Sequence, residues 1–217
     1  MLASRTTEHL CLGLQVPADP WLTRLPEGFS QGIALLAYLL ALMWAVAILD
    51  LLLLRRVLNH LSIQPRQLAG VPGIFVAPLL HGDFKHLAAN SGPLAILGSL
   101  ILLQGLEVWV IVTVAGWLIS GVGIWLFGRP HTRHLGASGV VFGYLGYLLL
   151  RGYFERSFPA IAASVLVGLL YGGALWGLLP LERGKSWVGH GLGFLAGVWV
   201  ARNLEGIQAW LMNNSGW

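Results

Sequence analysis

An all-α integral membrane protein, built as a bundle of six transmembrane helices, is the fold class that this sequence predicts. The 217 residues are 56% hydrophobic and only 10% charged, where a soluble domain carries about a quarter charged residues. Apolar runs close to the roughly 20 residues that a helix needs to cross about 30 Å of hydrocarbon recur along the chain. The ionisable side chains inside those runs are Asp50 and His190, and His190 comes with glycines at helical spacing. No internal repeat and no soluble domain interrupts the pattern.

Residues 1–30 mix charges, prolines and short apolar pieces. They lack the continuous 7–15 residue apolar core of a signal peptide, so a surface-lying N-terminal segment is expected there. The membrane domain is expected over 31–205, followed by a C-terminal tail, 206–217. Its first span runs from Gly32 to Leu54, interrupted only by Asp50. Gly70 to Leu80 is apolar but short and broken by Pro72 and Pro78, so it is expected as an interfacial loop rather than a span. Leu87 to Leu106 and Val108 to Phe127 are uncharged and separated only by Glu107, to which no role is assigned. Leu135 to Leu150 is uncharged but short, Ser157 to Leu181 is longer, and Ser186 to Ala201 is short again, with His190 as its one ionisable residue.

The net charge of +4 is spread over several loops, with no block suited to nucleic acid; anionic lipid headgroups fit it better. Cys11 is the only cysteine, which excludes an intramolecular disulfide and a cysteine metal cage. With the N-terminus cytoplasmic, the inside would carry Arg5, Arg24, Arg151, Arg156 and Arg202. The outside would carry Arg55, Arg56, Arg66, Lys85, Arg129, Arg133, Arg183 and Lys185. Five against eight runs contrary to the positive-inside rule.

Ionisable side chains at membrane depth are expensive and mark function by default. Three groups stand out: HGDFKHLAAN with His81, His86 and Asn90, GASG with Ser138, and GHGLGFLAG with His190. Leu135 to Leu150 makes about 24 Å of helix at about 1.5 Å per residue, too short to span. The preceding polar loop can dip inward if protein buries it, which leaves Ser138 at a helix N-terminus inside the membrane. There the helix dipole and free N–H groups favour a developing negative charge. Gly139, Gly143 and Gly146 form one stripe of that helix; His190, Gly193 and Gly197 form one stripe of the last. Glycine stripes let membrane helices approach closely. If these two face each other, a hydroxyl and an imidazole come within reach as nucleophile and general base. His86 and Asn90, at i and i+4 on one helix face, can join the Ser138 backbone N–H in binding an oxyanion.

Taken singly, each group has a plainer reading. Glycine stripes serve ordinary packing, a serine among glycines is a packing residue, and a lone buried histidine is a structural group or a proton relay. His81 and His86 are badly spaced for two metal ligands on one face, and no HExxH is present, so neither a metal nor a cofactor is implied. His60, His131 and His134 lie in charged loops and are expected to be solvated; His9 is uninformative. The combination of the three groups, in order and in a six-span chain, is more specific than any one of them.

That combination resembles the rhomboid family of intramembrane serine proteases over roughly residues 75–205. His81, His86 and Asn90 match the family's H-x4-H-x3-N signature. Gly136, Ala137, Ser138 and Gly139 match GxSG, and His190, Gly193 and Gly197 match HxxGxxxG. The resemblance implies a six-helix bundle with a Ser–His dyad and no third carboxylate. Ser138 would be the nucleophile and His190 the base, with His86 and Asn90 at the oxyanion and His81 in support. Phe142, four residues after the serine, would pack on the imidazole. Region 55–85 lacks the Trp-Arg pair of many members.

The activity so implied is hydrolysis of peptide bonds in transmembrane segments of membrane-protein substrates. The small size and absence of extra domains lead to the expectation of a bacterial-type cell membrane, with an organellar membrane as the alternative. A helix hides its carbonyls in internal hydrogen bonds, so small or helix-weakening residues are expected near the cut. The family implies sideways entry between the second and fifth helices, and Gly172, Gly173 and Gly177 give the 157–181 span the weak packing of a gate. The alternatives are a catalytically silent rhomboid-like protein that binds membrane helices, and a small transporter or proton relay. Silent members usually lack the serine or the histidine. A transporter would show paired carboxylates or an inverted repeat, and neither is found.

Overall fold

A computed structural model describes residues 25–26, 28–180 and 186–214 of the chain. Most of the expected surface segment, the end of the fifth span at Leu181, Arg183, Lys185 and residues 215–217 lie outside the described residues. Within them the protein is helical: α1 is Phe29–Ile48, α2 Val71–Val76, α3 Phe84–Leu102, α4 Leu106–Phe127, α5 Ser138–Glu155, α6 Phe158–Tyr171 and α7 Trp187–Asn214. Three helical stretches are long and apolar enough to cross a membrane by length and composition: Phe29–Leu53, Leu106–Phe127 and Phe158–Leu178. The other long helices, α3, α5 and α7, carry the polar residues singled out above, which is why composition alone does not mark them as spans.

Local sequence explains most boundaries. α1 ends in a wider turn, Leu49–Leu53, where Asp50, the one charge of the first run, is buried and its Oδ1 accepts the Leu58 N–H at 2.8 Å. α3 starts at Asp83, whose carboxylate caps the His86 N–H at 2.7 Å. Ser157 caps α6 and Pro159 occupies its first turn, where a missing N–H costs nothing.

Three expectations need correction. Gly70 to Leu80 is not an irregular loop; Leu68–Gly70, α2 and Ala77–Leu79 make a chain of short helical turns. Pro72 and Pro78 each stand at the start of a turn, where proline is tolerated, rather than breaking one. The last apolar run is not a short helix, because α7 spans 28 residues and its polar second half continues beyond Ala201 to Asn214. α5 likewise extends past its apolar run to Glu155, with an Arg151–Glu155 ion pair at 2.6 Å in the last turns. His134 is not simply solvated: it is half-buried, and burial lowers its pKa. Its backbone exchanges hydrogen bonds with Ile63, at 2.9 and 3.0 Å.

The core lies where α5 packs between α3, α4 and α7, and Tyr144, Tyr147, Leu87, Leu97 and Val200 are fully enclosed there. Hydroxyls inside are paired, Tyr144 with Thr113 at 2.7 Å and Tyr147 with Gln104 at 2.6 Å, as buried polar groups must be. Of the three long apolar stretches, Phe158–Leu178 is the least buried, 11% against 39% for Leu106–Phe127.

Candidate active site

The glycine stripes meet. A Cβ on Gly193 would run into the Gly139 carbonyl, one on Gly197 into the Gly143 carbonyl, and one on Gly146 into the Phe194 carbonyl. Gly139 also faces α4, where Ser120 Oγ occupies the space a Cβ would need. α5 and α7 therefore touch backbone to backbone, a spacing that only glycine permits.

This contact brings Ser138, the first residue of α5, to His190, in the first turn of α7. Ser138 Oγ lies 3.1 Å from His190 Nε2. The other ring nitrogen, Nδ1, is 2.9 Å from the Gly177 carbonyl oxygen. Phe142, one turn along α5, stacks on the imidazole with ring centroids 4.2 Å apart and planes within 10°.

The chain enters α5 through a defined turn. Gly136 N–H donates to the Ala77 carbonyl at 2.8 Å, and Gly136 has φ of 107°, a conformation that L-residues avoid. A Cβ there would also stand 2.7 Å from His86 Cε1 and 3.3 Å from Asn90 Nδ2. So His86 and Asn90 lie against the turn that delivers Ser138. Ala137 at the N-cap gives no side-chain bond; its carbonyl accepts the Val140 and Val141 N–H groups at 3.0 and 3.1 Å, which leaves the N–H groups of Ser138 and Gly139 without an acceptor inside the helix.

His81 completes the layer behind them. It is buried, and its Nε2 accepts from Asn90 Nδ2 at 3.2 Å, with its ring edge-on to His86 at 5.2 Å. Burial, reinforced by His86, lowers its pKa from 6.5 to about 4, so it is neutral at neutral pH and able to accept that bond. Because the folded-state pKa is the depressed one, the stability this provides is complete above pH 6.5 and drains away as pH falls towards about 4. Melting curves in detergent should show that fall, and His81→Asn should flatten it. Asp83 sets the register of the same layer by capping α3. Asp83→Ala is expected to cost about 1 kcal/mol of stability, read by thermal or denaturant unfolding, and to loosen His86 before Asn90.

Two features were not legible beforehand. The first is the anchoring of region 55–85, which lacks the expected Trp-Arg pair. Trp117 and Trp125 of α4 instead donate to the Ile74 and Gln67 carbonyls at 2.8 and 2.9 Å, and Arg66 donates to the Gly128 carbonyl at 2.9 Å. Trp117 and Trp125, two of the three tryptophans in the 108–127 run, were the available signal. The second is the Gly177 carbonyl on His190; a backbone acceptor leaves no trace in side-chain identity. Between the anchored region and Ser138 lies a cavity of about 30 Å³ lined by Ser120, His134, Ser138 and Ser186 among apolar walls, room for one or two waters.

Fold and site together define, over the described residues, a helical membrane protein with a hydroxyl–imidazole pair where α5 meets α7, His190 buried and Ser138 half-buried. The family model for the rhomboid domain matches residues 69–204, and this chain belongs to the rhomboid family. A protein of uncharacterised function from Mycobacterium bovis is 38% identical over 187 residues, 82% of this chain and 77% of the relative. One from Mycobacterium tuberculosis matches to the same extent. One from Mycobacterium leprae is 38% identical over 179 residues, 78% of this chain and 70% of the relative. The family generally includes serine intramembrane proteases, acting on membrane proteins in a bilayer.

Proposed function

We propose that this protein is an intramembrane serine endopeptidase that cleaves transmembrane segments of other membrane proteins. The observation that carries the reading is the 3.1 Å approach of Ser138 Oγ to His190 Nε2, since a nucleophile and its base must be within hydrogen-bond reach. Ser138 Oγ forms the bond to the substrate carbonyl carbon as its proton passes to His190 Nε2. The carbonyl oxygen becomes an oxyanion facing His86, Asn90 and the uncapped N–H groups of α5. The C–N bond then breaks as His190 returns the proton to the leaving amine. Water, deprotonated by the same imidazole, attacks the acyl-enzyme ester, and the proton goes back to Ser138. Phe142 keeps the imidazole plane in place, and Gly136, Gly139, Gly193 and Gly197 permit the close approach on which the dyad depends.

The same reading makes α1, α3, α4, α5, α6 and α7 the six crossings of a membrane domain over 31–205, with α7 continuing to Asn214, in a bacterial-type cell membrane. α3, α5 and α7 tolerate polar groups because Asn90 and His190 are buried against neighbouring helices and Ser138 is half-buried between them.

Purified protein in liposomes, given a fluorophosphonate probe and a generic transmembrane substrate, tests the proposal. The expected result is labelling at Ser138 together with cleavage. Absence of both in the wild type, with substrate helices still bound, would establish the silent helix-binding protein instead.

A further inference from the structure

The imidazole of His190 has two nitrogens, and which one holds the proton decides whether it can act as a base. Nε2 faces Ser138 Oγ at 3.1 Å and Nδ1 faces the Gly177 carbonyl oxygen at 2.9 Å. A carbonyl oxygen only accepts, so the contact requires the hydrogen on Nδ1. In a neutral imidazole that leaves the Nε2 lone pair for the Ser138 hydroxyl proton. We infer that Gly177 is a positioning residue whose backbone carbonyl sets His190 in the tautomer able to deprotonate Ser138. The inference rests on the protease reading for its consequence, but its structural content stands apart from activity.

The position of Gly177 gives the contact a second property. It lies on Gly172–Leu178, the tight helical continuation of α6, whose glycines Gly172 and Gly173 have open space around them. This is also the most lightly buried of the three apolar stretches. Gly177 itself has no such latitude: a Cβ there would stand 2.9 Å from Phe142 Cζ and 3.5 Å from His190 Nδ1. Phe142 on one side and the Gly177 carbonyl on the edge therefore bracket the ring, one fixing its plane and the other its proton. Any outward movement of the 172–178 segment withdraws the acceptor and lets the proton redistribute to Nε2. Seating of that segment thereby favours the competent form of the base.

Full-length protein with ¹⁵N-labelled histidine provides the test, with His190 assigned by loss of its signals in His190→Gln. At neutral pH the wild type should show a protonated Nδ1 and an unprotonated Nε2. Incorporating the α-hydroxy analogue of leucine at residue 178 turns the Gly177 carbonyl into an ester carbonyl, a weaker acceptor. The Nε2–H tautomer should then rise, and fluorophosphonate labelling of Ser138 should slow by about tenfold. The same replacement at Trp176, which leaves the Gly177 carbonyl an amide, should change neither. A wild type with the proton on Nε2, or an ester protein with an unchanged tautomer, overturns the inference. If the ester protein does not fold, dipolar coupling between glycine carbonyl ¹³C and His190 Nδ1 decides: a contribution lost in Gly177→Ala supports it, and an identical signal in both overturns it. A tautomer that responds to the ester in a protein that neither labels nor cleaves would keep this inference and sink the protease reading. Cleavage with an unresponsive tautomer would do the reverse.

Discussion

Ser138→Ala is expected to reduce cleavage of a transmembrane substrate to background and to abolish fluorophosphonate labelling, while leaving the melting temperature within a degree or two of the wild type. The change removes one oxygen whose partner is His190 Nε2, 3.1 Å away, and leaves the glycine contacts between α5 and α7 untouched. His190→Ala should lower the rate by about 10²–10⁴-fold, the usual worth of a general base. The double variant should be no slower than Ser138→Ala, because without the nucleophile the base has no proton to take. That non-additivity, measured by rates of product release from liposomes, is the signature of a dyad acting as a unit. Cleavage that survives Ser138→Ala, or effects that multiply in the double variant, would end the mechanism.

The second large effect falls on a residue with no chemistry. Gly197→Ala should destabilise the protein by about 1–3 kcal/mol or more and abolish labelling at Ser138. A Cβ at 197 meets the Gly143 carbonyl oxygen, with Tyr147 N at 2.7 Å and Gly143 C at 2.8 Å. All three are backbone atoms of α5, so no side chain can turn aside and the two helices must separate. Separation carries His190 away from Ser138, so stability and activity should fall together. Gly206→Ala, lower on the same helix with nothing within 4 Å of a Cβ, should instead be neutral or stabilising by up to about 1 kcal/mol. Unfolding in detergent read alongside labelling rates distinguishes the pair. A Gly197→Ala protein that melts and labels like the wild type would mean that the α5–α7 approach is looser than described.

The parts of the site that were legible are those encoded in residue type and spacing. Ser138 in GASG, His190 ahead of two glycines, and His86 and Asn90 one turn apart each announce a helix position and a face. Phe142 was expected only through the rhomboid resemblance, and in the structure its ring stacks on His190. What escaped depends on backbone atoms or on distant chain segments. The Gly177 acceptor is a carbonyl that every residue possesses, and only the return of 172–178 over α7 gives it meaning. Helix ends escaped too, since α7 runs through the polar stretch after Ala201: hydropathy reports contact with lipid, not hydrogen bonding along the axis. Region 68–79 was misjudged because its prolines were weighed as breakers rather than as first-turn residues.

Composition and pattern alone thus determined that this chain is a membrane-embedded helical protein, with three polar groups that stand out from its apolar runs and glycines set where helices must touch. The reason is that lipid punishes polar atoms one by one, so each exception is visible locally. Tertiary structure alone decided that the three groups lie in one place. Whether Ser138 meets His190, and which atom holds the proton on the far side of that ring, depends on how α5, α7 and the 172–178 segment pack. Distances between segments remote in sequence are properties of the packed bundle, and no single stretch of chain contains them.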